Sequence, residues 1–515
     1  MSESQRVLVL NFGGQYCQLI ARRVREANVF CEVLPHNASM DAIRKLNPAG
    51  IILSGSPASV LGADAPKADP AILDIGVPIL GICYGMQWIA HELGGAVEAA
   101  SRREYGRVAV DMNISENSRL LADMPHSASC WMSHTYQVAR APEGFAVAAR
   151  SEHCPIAAME NPPRNLYCVQ FHPEVTHTEQ GASILRNFLY KICGARGDWT
   201  MEAFALRTID SIRERVGSGR VLLGLSGGVD SAVTAALISR AIGKRLACVY
   251  VDHGFMRKNE SEQVIKTFTE HFEVELICVN AADIFFDRLK GVVDPEAKRK
   301  IVGAAFVDVF ADAAKKLGDI DFLAQGTIYP DVIESGAAVG AAVIKSHHNV
   351  GGLPESIGFR GLLEPIRMLF KDEVRAAGAA LGLAEDMVWR QPFPGPGLCI
   401  RVLGEVTREN VSIVRESDAI LREEIARAGL ARSINQYFTV LTGIRSVGVM
   451  GDERTYENAV AIRAVTTDDF MTGDWARIPY DTLARISERI VNEVQGVNRV
   501  VYDVTTKPPA SIEWE

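Results

Sequence analysis

The chain has 515 residues, 48% of them hydrophobic and 23% charged, which excludes a disordered or fibrous protein and allows about three domains of roughly 150 residues each. Lys and Arg number 54 against 63 Asp and Glu, a formal charge of −9, so no surface built to coat nucleic acid or an anionic membrane is expected. Ten cysteines, none within four residues of another, exclude both a disulfide scaffold and a CxxC metal or redox motif.

The polar N-terminus runs into Val7-Leu8-Val9-Leu10, which is too short for a signal-peptide core. The most apolar stretch, Ile75 to Ala90, is interrupted by Gly76, Pro78, Gly81 and Gly85, and falls short of the roughly 20-residue span a bilayer requires. A cytoplasmic protein with reduced thiols is expected. Val7–Leu10, Gly50–Leu53 and Pro78–Ile82 read as buried strands, and Gln15–Glu26 and Tyr84–Leu93 as helices. That alternation predicts a parallel sheet covered by helices. Past a Gly-rich joint at Gly194–Asp198 the pattern repeats: strand Arg220–Leu225, helix Val229–Ile242, strand Leu246–Val251, helix Ser261–His271, strand Val274–Val279. Gln391-Pro392-Phe393-Pro394-Gly395-Pro396-Gly397 cannot be helical and marks a second joint. Beyond it, a long amphipathic helix (about Arg408–Ala428) and β-rich runs at Tyr437–Leu441 and Arg499–Val504 read as α+β. The expected fold is thus α/β: two doubly wound parallel-sheet domains, 1–197 and 198–390, then a smaller α+β domain, 391–515.

Gly81-Ile82-Cys83-Tyr84-Gly85-Met86-Gln87 lies where a buried strand turns into a helix. Small residues flank the cysteine because such a turn is tight, and the helix N-terminus favours a thiolate and offers N–H groups to an oxyanion. Gln170-Phe171-His172-Pro173-Glu174 supplies a base, His172, and a carboxylate, Glu174, to hold its tautomer. A free cysteine is more often a core thiol, but the Gly-x-Cys-x-Gly frame with a downstream His-Pro-Glu favours catalysis. The other cysteines lack this frame, and Gly13-Gly14 reads as an ordinary turn.

Residues Val7 to Ile192 resemble the class I glutamine amidotransferases. The resemblance implies that Cys83 attacks the glutamine side-chain amide with His172 as base and Glu174 as orienter. A glutamyl thioester forms and ammonia leaves. Gly55, in Leu53-Ser54-Gly55-Ser56-Pro57, and Tyr84 would give oxyanion N–H groups, and Gln87 would contact bound glutamine. Two positions depart from the family. Ser56 replaces a usual Gly, and Ser133-His134-Thr135-Tyr136 replaces the usual Ser-His-Gly-Asp, whose Asp helps hold the glutamine α-amino group. The second departure bears on glutamine affinity or on its dependence on domain coupling.

Leu225-Ser226-Gly227-Gly228-Val229-Asp230-Ser231 also joins a strand to a helix. Its glycines let backbone N–H groups converge on phosphate, and the helix N-terminus adds positive potential. It lacks the lysine of a Walker A loop, so Asp230 is read as a ligand of Mg²⁺ bridging the phosphates. This segment resembles the N-type ATP pyrophosphatases. That implies pyrophosphate and Mg²⁺ at Ser226, Gly227, Gly228, Val229, Asp230 and Ser231, with Val251 beside the adenine. Gln325–Ser335 and Ile344–Asn349 bracket a small-residue stretch, Gly336–Ala342, that suits a lid. Asp331 and Glu334 there would assist metal or proton handling, and Lys345 would neutralise phosphate. His347-His348 has no third nitrogen or sulfur ligand nearby, so zinc is not expected.

The tail Lys507–Trp514 holds the only lysine after Lys371, fixed beside two prolines. With Ser446–Asp452 and Pro392–Gly397, it makes the whole chain similar to the glutamine-hydrolysing GMP synthase family. That resemblance implies that the last domain makes a homodimer. It also implies that Arg299, Gln436, Arg499, Lys507, Ile512 and Glu513 contact xanthosine 5′-phosphate (XMP). The implied partners are XMP, ATP and glutamine. The readings set against it are a tRNA-modifying PP-loop enzyme, which the acidic balance disfavours, and a nucleotide-binding scaffold, which the complete Cys83, His172 and Glu174 set disfavours.

Overall fold

The computed structural model describes residues 5–112, 118–334, 359–467 and 472–515. The chain forms two compact units, Met1–Ala203 and Phe204–Glu515.

The first unit contains strands β1 (Arg6–Asn11), β2 (Phe30–Pro35), β3 (Gly50–Leu53), β4 (Ile79–Ile82), β5 (Ala96–Asp111), β6 (Ser127–Arg140), β7 (Ala146–Ser151), β8 (Ala158–Asn161) and β9 (Leu166–Val169). They lie in the order β2-β1-β3-β4-β9-β8-β7-β5-β6. The strands β2, β1, β3, β4 and β9 run parallel. β3, β4 and β9 are buried on both faces, as near-continuous apolar runs in a covered parallel sheet require. Leu8, Leu10, Ile51, Leu53, Ile79, Met86 and Trp88 share one core beneath the helix Tyr84–Glu92. The chain order reverses between β1 and β3. Such a switch point opens a crevice at the carboxyl ends of the strands, the usual ligand site of doubly wound sheets. The long antiparallel β5–β6 hairpin at the far edge was not among the expected elements. β5 buries only Glu104 and Val110, so its sequence carries little apolar alternation to announce it.

In the second unit β10 (Val221–Leu225), β11 (Leu246–Asp252), β12 (Glu275–Asn280), β13 (Phe322–Ala324) and β14 (Gly361–Leu363) form an all-parallel sheet in the order β12-β11-β10-β13-β14. Its switch point falls between β10 and β13. β15 (Gln436–Met450) and β16 (Glu453–Thr466) then make a long antiparallel hairpin. β17 (Asp474–Trp475) adds to β16, and β18 (Val497–Asp503) pairs with β16 in parallel. The helices Arg408–Arg427 and Tyr480–Glu493 accompany this sheet. One apolar core runs unbroken from Leu222, Val249 and Phe310 to Val402, Leu421, Ile462 and Ile486, so residue 391 lies within a continuous packing unit. A chain of buried charges follows the same path. Arg257 and Arg401 flank Asp418 at 3.6 and 3.7 Å, all three almost fully buried. Among the described residues no helix is long and apolar enough to cross a membrane.

Candidate active sites

The first site stands at the carboxyl ends of β3, β4 and β9. β4 ends at Ile82, and the helix begins at Tyr84. Cys83 between them has φ 52° and ψ −105°, a backbone conformation that a side chain with a Cβ adopts only under strain of about 1–3 kcal/mol. The flanking glycines are dictated by close approach. A Cβ on Gly81 would come within 2.8 Å of the Gly85 carbonyl, and one on Gly85 within 2.5 Å of the Leu53 carbonyl oxygen. The Tyr84 N–H, first in its helix, has no intrahelical acceptor. The Gly55 N–H meets no backbone acceptor among the described residues. A Cβ on Gly55 would lie 3.3 Å from His172 Cε1 and 3.7 Å from Cys83 Cβ, so this backbone borders both side chains. Gly14, in the turn after β1, is pressed onto Gly55. Its Cβ would reach the Gly55 carbonyl oxygen at 2.4 Å, a constraint the reading as an ordinary turn had missed.

His172 follows β9, and its N–H donates to Trp131 O at 3.0 Å. Its Nδ1 lies 2.8 Å from Glu174 Oε1 in a buried pair, and the backbone of Gly55 borders both this ring and the Cys83 side chain. With Nδ1 taken by Glu174, Nε2 is the nitrogen left for sulfur. Burial works against an imidazolium here, but the Glu174 carboxylate and the Cys83 sulfur outweigh it and hold the ring's pKa well above its usual value. The structure thus brings Cys83, His172 and Glu174 together, with His172 and Glu174 hydrogen-bonded. Such a set can pass a proton from sulfur to imidazole and stabilise the resulting charge pair. Gln87 is buried; its Nε2 donates to Tyr136 O at 2.7 Å and to Gln170 Oε1 at 3.1 Å. The Thr135 hydroxyl bonds the Tyr105 hydroxyl at 2.7 Å. Gln170, whose Nε2 lies 3.6 Å from Cys83 Sγ, was passed over in the sequence although it opens the His-Pro-Glu motif.

The second site lies at the switch point of the second sheet. Ser226 follows β10, Gly227 has φ +73°, and the helix Val229–Ile242 starts behind Gly228. The Ser226 hydroxyl accepts from Gly228 N–H at 3.2 Å, and the Ser231 hydroxyl donates to Gly228 O at 2.9 Å. These bonds shape the loop from within. Asp230 Oδ2 accepts from Lys371 Nζ at 2.6 Å, while its buried Oδ1 has no hydrogen-bond partner among the described residues. A Cβ on Gly326, after β13, would lie 3.3 Å from the Asp230 carbonyl carbon. Val251 is buried near the end of β11. Arg390 donates to Gly227 O and pairs with Glu260, tying the loop's outward carbonyl to the protein. Lys371 and Arg390 were not singled out in the sequence; they lie 141 and 163 residues from their partners, beyond any local motif. Asp331 Oδ2 accepts from Ile328 N–H at 3.2 Å, at the start of the helix Tyr329–Glu334. The side chain of Glu334, the small-residue stretch and Lys345 lie outside the described residues.

At the tail, Glu513 accepts from Gln436 Nε2 at 2.8 Å and from Arg401 at 3.0 and 3.2 Å. Arg299 donates to the Glu515 main-chain oxygen, and buried Lys298 bonds Glu515 Oε2 at 2.6 Å. Ile512 packs with Phe438, Val440 and Val465. Arg299, Gln436, Ile512 and Glu513 therefore share the tail's anchorage. Lys507 pairs instead with Gly473 through backbone bonds of 2.8 and 2.9 Å. Arg499 stands exposed on β18, 3.4 Å from Val447 O.

Residues 8–192 match the family described as glutamine amidotransferase class-I, residues 205–302 match NAD synthase, and residues 423–514 match the GMP synthase C terminal domain. The chain is 61% identical over 512 residues to GMP synthase [glutamine-hydrolyzing] of Acetivibrio thermocellus, covering 99% of this chain and all of that one. The chain belongs to the glutamine-hydrolysing GMP synthase family. A relative of the same name from Ruminiclostridium cellulolyticum is 60% identical over the same coverage, and one from Clostridium botulinum (strain Alaska E43) is 58% identical over 99% of both chains. The family thus unites, on one chain, a glutamine amidotransferase unit and an ATP-using unit.

Proposed function

We propose that this chain converts XMP to GMP. ATP adenylates the C2 oxygen of XMP and releases pyrophosphate. Ammonia freed from glutamine then displaces AMP. The oxygen is a poor leaving group until adenylated, and ammonium has no lone pair to attack with, so the attacking species is free ammonia, from glutamine or from an ammonium salt in equilibrium with it. Cys83 acts as nucleophile, with His172 taking its proton, Glu174 holding the imidazole, and the Gly55 and Tyr84 N–H groups receiving the oxyanion. Gln87 borders the glutamine. The observation that carries the reading is the convergence of Cys83 with the hydrogen-bonded pair His172 and Glu174, on the same chain as the Ser226–Ser231 loop.

The loop N–H groups, Ser226, Ser231 and Lys371 hold the pyrophosphate end of ATP, and Val251 lines the adenine. Mg²⁺ fits Asp230, because a buried carboxylate oxygen without a hydrogen-bond partner among the described residues suits a hard cation; bound there, it would neutralise phosphate charge. Asp331, Glu334 and Lys345 belong to the lid over this site. XMP is held by Arg299, Gln436, Arg499, Lys507, Ile512 and Glu513. The three functional pieces remain 1–197, 198–390 and 391–515. The last pairs two chains through the β15–β16 hairpin, where Ile444, Val449 and Tyr456 leave more than half their surface exposed. The protein works in the cytoplasm.

One assay tests the whole. With XMP, Mg-ATP and glutamine the protein forms GMP, AMP and pyrophosphate, and ammonium replaces glutamine. Cys83→Ala abolishes the glutamine-dependent reaction and spares the ammonium-dependent one. Loss of both in a folded variant would contradict the division of labour.

A further inference from the structure

We infer that Gln170 is a catalytic residue of the glutamine site, donating a hydrogen bond to the Cys83 sulfur and favouring its thiolate. The inference rests on Cys83 being the nucleophile. Gln170 is fully buried at the end of β9, two residues before His172. An amide side chain can face sulfur with either end, but here the choice is made by its neighbour. Gln87 Nε2, held by Tyr136 O at 2.7 Å, donates to Gln170 Oε1 at 3.1 Å. The oxygen end is therefore occupied, and Nε2 is the end directed at Cys83 Sγ, 3.6 Å away. A thiolate accepts such a bond more strongly than a thiol does, so the donor stabilises the charged form.

The groups facing Cys83 leave this task unfilled. His172 approaches from the chain after β9, with Glu174 behind it and the Tyr16 ring packed edge-to-face on the imidazole, centroids 5.0 Å apart. The Ser133 carbonyl on β6, 3.8 Å from sulfur, is an acceptor and favours the thiol. Next to it His134 pairs with buried Glu104 at 3.1 Å, and Cys154, pushed up to about 12 by burial, stays neutral. Among the described residues, Gln170 is the side chain that donates a hydrogen bond to this sulfur. The same bond would persist to the thioester sulfur, but weaken as charge leaves it, which suits a nucleophile that must be regenerated as thiolate.

The test is iodoacetamide alkylation of Cys83 in the full-length protein, followed by mass spectrometry from pH 6 to 10. It is paired with glutamine- and ammonium-dependent GMP formation. Gln170→Met keeps the volume and removes the donor; Gln170→Glu also keeps the Gln87 hydrogen bond and serves if the first variant does not fold. Each is expected to lower the alkylation rate at neutral pH about tenfold or more, with recovery at alkaline pH. Glutamine-dependent kcat should fall with little change in KM, and ammonium-dependent synthesis should be unaffected. A folded variant alkylated like the parent at neutral pH would overturn the inference. If parent alkylation at Cys83 leaves glutamine use intact, the nucleophile reading itself fails.

Discussion

His172 carries the charge balance of the glutamine site. Its imidazolium is disfavoured by burial and favoured by Glu174 and Cys83, and the favourable side wins. In Glu174→Gln the ring loses its largest favourable partner and should release its proton at lower pH, seen as a downward shift of the His172 titration by NMR. Glutamine-dependent GMP formation should drop about 10²–10⁴-fold, the usual worth of acid–base machinery, with ammonium-dependent synthesis retained. Asp230 sets the opposite test. Its substitution by Ala removes the carboxylate paired with Lys371 at the phosphate loop. Both glutamine- and ammonium-dependent synthesis should be lost while Cys83 alkylation is unchanged; retained cleavage of ATP to AMP and pyrophosphate would refute the metal role.

At the scale of elements, the strand–turn–helix around Cys83 depends on backbone contact. The helix Tyr84–Glu92 crosses β3 so closely that a Cβ on Gly85 would sit 2.5 Å from the Leu53 carbonyl oxygen. That obstacle is backbone, not a side-chain tip that could swing away. Gly85→Ala must push helix and strand apart, at about 1–3 kcal/mol of stability to the first unit. The Gly55 N–H would move with β3. Thermal unfolding should report the first loss and glutamine-dependent turnover the second; an unchanged unfolding midpoint would contradict the packing argument.

For the second unit as a whole, stability depends on charges far from either site. Asp418 is the counter-ion between Arg257 and Arg401, and burial has already pulled Arg257 down to about 10. Asp418→Ala would leave two guanidinium groups buried without it, a loss of about 3–5 kcal/mol measurable by denaturant unfolding. pH acts on the same unit through His253. Burial lowers its pKa to about 4, and its Nδ1 accepts the Phe255 N–H at 3.0 Å, which a protonated ring could not do. The unfolded chain takes up this proton below about 6.5 and the folded protein only near 4, so His253 contributes stability above 6.5 that is lost as pH falls through that window. The full loss is about 3 kcal/mol. His253→Gln should flatten the unfolding midpoint between pH 6.5 and 4; an unaltered slope would refute it.

Much of this was legible along the chain, because the chemistry is compact in sequence. Cys83 with its flanking glycines, His172 with Glu174, and Ser226 to Ser231 each sit at a strand end that short apolar runs announce. Local backbone demands, tight turns and helix N-termini, write themselves into neighbouring residues. β5 escaped because a strand that buries only two residues needs no apolar alternation, and Lys371 and Arg390 because nothing local marks them, whereas Gln170 stood inside the His-Pro-Glu motif and was passed over. What the sequence determined was residue type and local turn. What only the tertiary structure decided was which distant groups meet: Lys371 at Asp230, Arg401 at Glu513, Gln87 turning Gln170 toward sulfur, and one core continuing past residue 391. Those partnerships follow from sheet order and burial, which bring together residues separated by up to 163 positions and leave no trace in their immediate neighbours.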